Sequence, residues 1–387
     1  MNKGIYILAI ATFVAGTVEF LITGLLGMIA NDLHTSIGAV GQLVSIYSIV
    51  FAIGAPVLVA FSSKIERRKL LLLAMTVFFI GNCLSIISPN FTTLLIARMV
   101  LAASCSIVIV VSITTAANIA TKEMRGRAIG VIIMGISSSL VFGVPLGTLI
   151  GERYGWRMTF VMVGILSLLS IVGLIKFLPK VPPQQIVPLR KQIATLKSKQ
   201  IISIQLISFF ELTGHFTIYT YFVPFIQKTM GLSTNMISFI LLVFGIAGIL
   251  GGWIGGWSAD KFGGSKTIIV VLIALGALFF ILPFATKALI SIYMIIILWG
   301  ILTWSISPSI QSSLAKATPE TADIQVGINN SFSHLGIAFG SSLGGYIVNH
   351  YPITSTTWVG GLIVLFGLIS AIYSKTFSKE SSLLKAS

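Results

Sequence analysis

The sequence predicts an all-α integral membrane protein with twelve transmembrane helices in two six-helix bundles around a central cavity. Its composition, its apolar runs and an internal duplication support this prediction. Of the 387 residues, 56% are hydrophobic and only 9% are charged, and the mean hydropathy is +1.01, whereas a soluble domain carries about 25% charged residues. This composition excludes a single water-soluble core, and its hydrophobicity excludes a disordered chain.

The number and length of the apolar runs predict twelve helical spans. A helix needs about 20 apolar residues to cross ~30 Å of hydrocarbon. Continuous apolar runs favour helices over the alternating strands of a membrane barrel. The runs lie near residues 4–30, 39–61, 70–88, 92–117, 128–150, 158–178, 201–227, 234–257, 266–286, 289–315, 325–349 and 355–375.

The distribution of basic residues predicts the orientation. One set of alternating loops, together with both termini, holds 20 of the 25 Lys and Arg residues. The opposite loops hold only Arg153, Arg157, Lys228 and Lys287. Because basic loops stay on the cytoplasmic side, we expect both termini in the cytoplasm and the chain in a bacterial cytoplasmic membrane. The basic residues form short clusters and no continuous stripe, so the net charge of +15 does not indicate nucleic-acid binding.

An internal duplication predicts the domain organisation. The polar stretch 179–200 separates a bundle over 1–178 from a second over 201–387, which ends in a short cytoplasmic tail. A shift of 197 residues aligns the two halves in several places, including 120–123 with 317–320, Gly143 and Gly147 with Gly340 and Gly344, and Lys64 with Lys261. Six spans per half give the repeats the same topology, with an axis along the membrane normal. A cavity between the bundles could then open to each side in turn.

Short motifs lie at matching places in the two halves. The loop after the eighth span contains Asp260, Lys261, Gly263 and Lys266, whereas its counterpart over 63–69 has Ser63 in place of the acid. The fifth span contains Gly143, Pro145 and Gly147, which allow close packing and a bend. Arg98 is the single arginine of the fourth span, and Gly155-Trp156-Arg157 opens the sixth.

With these motifs the sequence resembles the major facilitator superfamily over its whole length, and within it the bacterial drug:proton antiporters. The resemblance implies a secondary transporter driven by a proton gradient, with Asp260, Lys261, Gly263 and Lys266 as gating residues. A monomer is expected to suffice, because the cavity forms within one chain. The missing acid at Ser63 favours the second loop as the gate.

A narrower likeness concerns segments 24–33, 64–69, 214–219, 304–308 and 323–325, which look like those of bacterial purine base and nucleoside efflux pumps. This resemblance implies export of purines and their analogues. The first-span pattern also occurs in sugar and chloramphenicol exporters, so a multidrug, chloramphenicol or sugar-type efflux pump is the alternative.

Charged residues inside spans are rare and therefore indicate function. Each charge costs at least ~2.5–3.5 kcal/mol at the centre of a membrane helix. Glu19 lies near the middle of the first span and Arg98 within the fourth. Glu19 is the predicted proton carrier, with Arg98 as its neighbour. A permanent ion pair between the two, or an Arg98 bound to backbone carbonyls, is the structural alternative.

Glu211 and His215 are four residues apart and therefore share one face of the seventh span. Together they could bind the edge of a purine or form a second proton relay. A mutually satisfied polar pair between helices is the alternative.

Polar and aromatic residues suited to a flat, uncharged heterocycle are predicted to bind substrate, because small-molecule sites combine apolar walls with a few oriented polar groups. They could equally anchor the membrane interface or join helices. These residues are Tyr219, Trp304, Gln311, Asn329, Asn330 and His334.

Other function classes have less support. A membrane enzyme would need a nucleophile–base pair or a metal-ligand cluster, and ATP drive would need a Gly-rich phosphate loop; the sequence contains neither pattern. We therefore expect no enzyme activity, no metal and no cofactor. A facilitator would not need Glu19, although a symporter would. Cys83 and Cys105 lie in apolar runs, so no disulfide framework is expected.

Overall fold

The computed structural model describes residues 2–183, 192 and 194–384, and the regular secondary structure of these residues is entirely helical. Seven α-helices belong to the first half of the described chain. They are α1 (Lys3–Asp32), α2 (Ile37–Phe61), α3 (Arg67–Ile87), α4 (Phe91–Ile119), α5 (Arg125–Ser138), α6 (Val144–Tyr154) and α7 (Trp156–Phe177). A π-helical segment, Ser139–Gly143, joins α5 to α6.

Seven further α-helices follow in the described part of the second half. They are α8 (Lys199–Tyr219), α9 (Phe222–Met230), α10 (Thr234–Phe262), α11 (Gly264–Ala285), α12 (Leu289–Ala317), α13 (Ala322–His350) and α14 (Ser355–Leu384). Short 3₁₀ turns precede α5, α8 and α13. Much of the predicted linker, 184–191 and 193, and the last three residues of the predicted tail lie outside the described residues.

Eleven helical stretches in the described chain are long and apolar enough to cross a membrane, and α5, the π-helical segment and α6 form one of them. The predicted span 325–349 coincides with α13, whose 29 residues measure about 44 Å. Its amides and imidazole, on Gln325, Asn329, Asn330 and His334, make it more polar than the others. The predicted all-helical membrane fold is confirmed.

Proline changes two of the predicted spans. The seventh, predicted as one helix over 201–227, ends at Tyr219, and a new helix begins at Phe222. Pro224 explains this break, since a proline has no N–H for a helical bond and its ring clashes with the carbonyl four residues earlier. In the fifth span Pro145 lies two residues after the end of the π-helical segment, and prolines and π-bulges are both places where helices kink.

The chain forms two compact units, bounded by Met1–Ile186 with Leu232–Leu242 and by Val187–Gly231 with Val243–Ser387. In the first unit α1 packs against α2, α4, α5, α6 and α7. In the second, α8 packs against α12, α13 and α14, while α11 packs against α12 and α14. Helices α1 and α8 therefore have comparable central positions, each within its own unit.

Small residues let α1 approach α5 and α6 closely. They recur every four residues along α5, the π-helical segment and α6: Gly135, Ser139, Gly143, Gly147 and Gly151. A Cβ atom on Gly143 would overlap Thr17, and one on Gly147 would overlap Leu21. These contacts agree with the predicted role of Gly143 and Gly147 in close packing. The helix that packs against the two glycines is α1.

An ion pair joins the end of α1 to α7. Arg157 donates through Nη1 to Asp32 Oδ2 at 2.6 Å and through Nη2 to the Ser88 carbonyl at 2.9 Å. The Trp156 indole also donates to Asp32, at 3.1 Å. The Gly155-Trp156-Arg157 motif therefore fastens three helix ends of the first unit together: those of α1, α3 and α7.

Backbone contact between α10 and α12 gives a test of the packing. We expect Gly255→Ala to lower thermal stability, because the added Cβ would lie 2.5 Å from the Cα of Ser305 and the two helices would have to separate. Overpacking of this kind costs about 1–3 kcal/mol. The fraction of detergent-solubilised protein that stays monodisperse after heating, measured by size-exclusion chromatography, reports the loss.

Gly256→Ala is the matched control. No atom of another helix lies within 4 Å of its Cβ position, and alanine favours a helix over glycine. Equal heat resistance of the two variants would contradict the close approach of α10 and α12.

Candidate functional site

Arg98 is fully buried and joins three helices of the first unit. From α4 its guanidinium donates to the carbonyls of Val18 at 2.7 Å and Glu19 at 3.4 Å on α1, and to that of Leu43 at 3.4 Å on α2. The same group lies 4.2 Å from the centre of the Tyr47 ring, which is a favourable cation–π distance. The arginine therefore has the backbone-bound arrangement that the sequence left open.

Glu19 is 8% exposed and lies beside this arginine. The carboxyl group is close enough to interact electrostatically with Arg98, Tyr47 and Cys105. The contact of Thr17 with the π-helical segment and that of Leu21 with α6 hold the same turns of α1 in place. Glu19 thus belongs to a compact, buried polar cluster. Its role as proton carrier stays a prediction.

Glu211 and His215 lie on α8 in the second unit, and both side chains are buried, at 3% and 2% exposed. The Nδ1 atom of His215 accepts a hydrogen bond of 2.9 Å from the Trp299 indole and lies 3.5 Å from the Thr303 hydroxyl. Among the described residues, no hydrogen bond joins Glu211 to His215, and Glu211 Oε1 has no hydrogen-bond partner. The two residues therefore do not form the mutually satisfied pair considered as the structural alternative.

Aromatic rings enclose His215. Its ring stacks with those of Tyr219 at 5.1 Å and Phe244 at 6.1 Å, with interplanar angles of 18° and 16°. Phe216 and Trp299 meet it edge-on. The predicted substrate residue Tyr219 therefore lies directly beside His215.

Sequence reasoning missed Trp299 and Phe244, which form part of this enclosure. Trp299 is fully buried and makes further ring contacts with Phe222 and Phe279. Aromatic residues are common throughout apolar spans, so the sequence offered no signal that set these two apart.

Asn329 belongs to a buried amide network between α8 and α13. Its amide donates to Gln205 Oε1 and to the Ser208 hydroxyl, both at 2.8 Å. Gln205 in turn donates to Gln325 at 3.1 Å, and Gln325 donates to the Thr195 hydroxyl at 2.6 Å. These bonds use the donor capacity of Asn329 within the fold. Gln205 was also missed, although an amide inside an apolar run is a readable signal.

The other predicted substrate residues do not form one cluster with these groups through any described contact. Trp304 lies over Gly248, and its indole N–H is buried without an acceptor among the described residues. Gln311 is exposed and donates to Ser307 at 3.3 Å. Asn330 is half-buried and His334 is 5% exposed, both on α13.

The predicted gating residues lie at the junction of α10 and α11. Gly263 has φ +90°, a conformation that favours glycine, and so the chain can turn there. Asp260, Lys261 and Lys266 are exposed, and Lys261 Nζ lies 4.8 Å from the Trp257 ring. Asp260 forms no ion pair within the described chain. Elsewhere in the described residues, no group of three or more His, Cys, Asp or Glu side chains could hold a metal ion.

Comparisons with known proteins agree on the family. The model of the Major Facilitator Superfamily matches residues 8–341. The chain is 35% identical over 368 residues to the uncharacterized MFS-type transporter YbcL of Bacillus subtilis (strain 168), covering 95% of this chain and 94% of that protein.

Solved structures show the same fold. A D-xylose-proton symporter superposes with a TM-score of 0.79 at 17% identity, covering 96% of both chains. A second match is a bacterial homolog of the human lysosomal transporter Spinster, in an inward-facing and occupied conformation. It superposes with a TM-score of 0.75 at 16% identity, covering 97% of this chain and 96% of that one.

The geometry around Arg98 gives a second prediction. We expect Arg98→Lys to lower thermal stability, because an ammonium group cannot reproduce the planar fork that bonds carbonyls of two helices and stacks on Tyr47. Each buried hydrogen bond left unmade costs about 1–3 kcal/mol. The temperature at which half of the purified protein aggregates is the measurement.

Arg153→Lys, an exposed position on α6, is the control and should melt like the unmodified protein. Equal melting temperatures for the two variants would show that the guanidinium shape at position 98 is not required.

Proposed function

The chain belongs to the Major Facilitator Superfamily and is a transporter rather than an enzyme, and we propose that it exports small molecules in exchange for protons. We further propose purine bases, nucleosides and their analogues as the exported solutes. A multidrug, chloramphenicol or sugar-type efflux pump of the same superfamily is the alternative.

The observation that carries the coupling proposal is the buried pair of Glu19 and Arg98. Arg98 is held by carbonyls of α1 and α2, so its charge stays in place. Binding and release of a proton at Glu19 then change the net charge of the pair between +1 and 0. In a low-dielectric surrounding such a change has a large electrostatic effect. This effect is what allows a proton to bias one conformation of the transporter over another.

The proposed transport cycle uses the two halves as rigid bodies. The bundles 1–178 and 201–387, linked by the segment 179–200, alternate access to the solute between the two sides of the membrane. In this proposal both termini are cytoplasmic, the protein lies in a bacterial cytoplasmic membrane and a monomer suffices. Gly263 and its charged neighbours Asp260, Lys261 and Lys266 act as the gate of the second half.

The substrate proposal rests on the surroundings of His215. Three roughly parallel rings, those of His215, Tyr219 and Phe244, lie beside buried polar atoms. Apolar walls with a few oriented polar groups suit a flat, uncharged heterocycle. Purine bases have this shape and polarity.

A sensitivity panel tests the proposed substrate. We expect a host that expresses this chain to tolerate 2-fluoroadenine and 6-mercaptopurine better than a host that expresses the Glu19→Gln variant, because export lowers the internal concentration of the analogue. Growth at graded analogue concentrations is the measurement. Tolerance limited to dyes, fluoroquinolones or chloramphenicol would favour the alternative efflux pump.

A substitution at Glu19 tests the coupling. We expect Glu19→Gln to abolish proton-driven accumulation of hypoxanthine in everted vesicles, because an amide cannot exchange a proton. Exchange of labelled for unlabelled hypoxanthine should continue, since it needs no net proton movement. Glu152→Gln, at an exposed position on α6, is the matched control. Unchanged proton-driven uptake by the Glu19 variant would remove this residue from the mechanism.

A further inference from the structure

One face of α8 carries a buried oxygen without a hydrogen-bond partner and, one turn away, an imidazole that bonds through only one of its nitrogens within the described chain. Glu211 Oε1 is buried without a hydrogen-bond partner in the described chain. The hydrogen bonds of His215 with described groups all involve Nδ1, so Nε2 donates to none of the described residues. Buried polar atoms in folded proteins are almost always satisfied by protein, water or a ligand. The unpartnered Glu211 Oε1, with a donor at His215 Nε2 one turn away, therefore points to a bound group.

The Trp299 indole determines which nitrogen of His215 carries the proton. An indole N–H can only donate, so the 2.9 Å bond to Nδ1 requires a lone pair on that atom. The ring is then neutral, with its proton on Nε2. Protonation of Nδ1 would break the bond to Trp299, and the Thr303 hydroxyl at 3.5 Å is a second potential donor to the same atom.

The groups packed around His215 favour this state. Phe216 and Tyr219 on α8, Phe244 on α10, and Trp299 on α12 contact the ring. Glu211 is one helical turn away. Apart from Glu211 and Tyr219, these side chains are not titratable, and the described contacts of His215 include no charged group. His215 is therefore built as a fixed hydrogen-bond donor.

We propose that Glu211 and His215 form a two-point hydrogen-bond site that reads the edge of a planar heterocycle, and that Trp299 is the positioning residue that keeps the donor on His215 Nε2. This inference rests on the proposed function and deepens it. His215 Nε2 donates to a ring nitrogen or carbonyl of the solute, and the Glu211 carboxyl group accepts from a neighbouring N–H. Purines present such adjacent groups. The site replaces the second proton relay that the sequence also allowed.

The tautomer is tested by solid-state ¹⁵N NMR of protein labelled with ¹⁵N-histidine in proteoliposomes. The chain has four histidines, and the His215 signals are assigned by their loss in the His215→Gln variant. We expect one neutral tautomer with the proton on Nε2. Trp299→Phe should give a mixture of tautomers, whereas Trp253→Phe, whose ring is 73% exposed, should not. A proton on Nδ1 in the unmodified protein would overturn the proposal.

Transport kinetics test the two-point site. We expect His215→Leu to raise the KM for hypoxanthine in everted vesicles roughly five- to tenfold with a smaller change in maximal rate, as for the loss of one hydrogen bond. His215→Gln, whose amide N–H can occupy the place of Nε2–H, should restore most of the affinity. Trp299→Phe should also raise KM, and size-exclusion chromatography checks that each variant is folded.

The outcomes separate this inference from the proposed function. Normal hypoxanthine transport by the unmodified protein with an unchanged KM in His215→Leu overturns the two-point site alone. Loss of proton-driven accumulation in His215→Leu with an unchanged KM for exchange would overturn the two-point site. It would indicate instead that His215 takes part in a proton relay. A lack of hypoxanthine transport by the unmodified protein overturns the proposed function and the two-point site together.

Discussion

Burial of a permanent cation away from water is the constraint on which the first half of this protein depends. A guanidinium inside a membrane protein must find all of its partners within the protein. Arg98 meets this demand with carbonyls of α1 and α2 and with the Tyr47 ring. These contacts fix the mutual positions of three helices, and only a tightly packed α1 can keep the carbonyl of Val18 in place.

The small residues on α5, the π-helical segment and α6 support α1 from another side. Gly143 and Gly147 leave room for Thr17 and Leu21, which flank Glu19 in the sequence. The side chain of Glu19 is therefore placed by backbone contacts on two sides of α1. A rigid backbone keeps the distance between a titrating group and its charged neighbour constant. A change of protonation at Glu19 then changes the net charge of the cluster and does not rearrange the surrounding side chains.

Much of the fold could be predicted from the sequence, because a long apolar run indicates where a helix crosses the membrane. Helix ends and breaks were harder to predict. The break after Tyr219 depends on Pro224, a signal that was present but overridden by the continuous apolar run. The polar helix α13 is predicted as a span by the sequence, but it is not among the eleven stretches of the described chain that are apolar enough to cross a membrane, because its amides lower its hydropathy. Amides such as Gln205 and Asn329 are tolerated there because they bond to one another across α8 and α13.

The site was predictable only where a residue type is rare in its surroundings. Glu19, Arg98, Glu211 and His215 stood out because ionisable groups are scarce in apolar spans. Trp299 did not stand out, since a helix that is apolar on all sides has no periodic contrast to mark a functional face. Its importance comes from one atom, the indole nitrogen, whose partner is 84 residues away in the sequence.

The two halves place their buried polar groups in chemically different environments. In the first, the cation of Arg98 is fully engaged by fixed carbonyls beside a titratable carboxyl group, an arrangement suited to storing and releasing charge. In the second, His215 lies among aromatic rings with only its Nδ1 bonded to described groups, and Glu211 Oε1 has no hydrogen-bond partner in the described chain. This arrangement suits a ligand that brings its own donors and acceptors. A duplicated transporter that diverged in this way can couple protons in one half and recognise its solute in the other. In the proposed site a bound solute satisfies the unpartnered Glu211 Oε1, so the cost of leaving this atom without a partner favours the loaded state over the empty one.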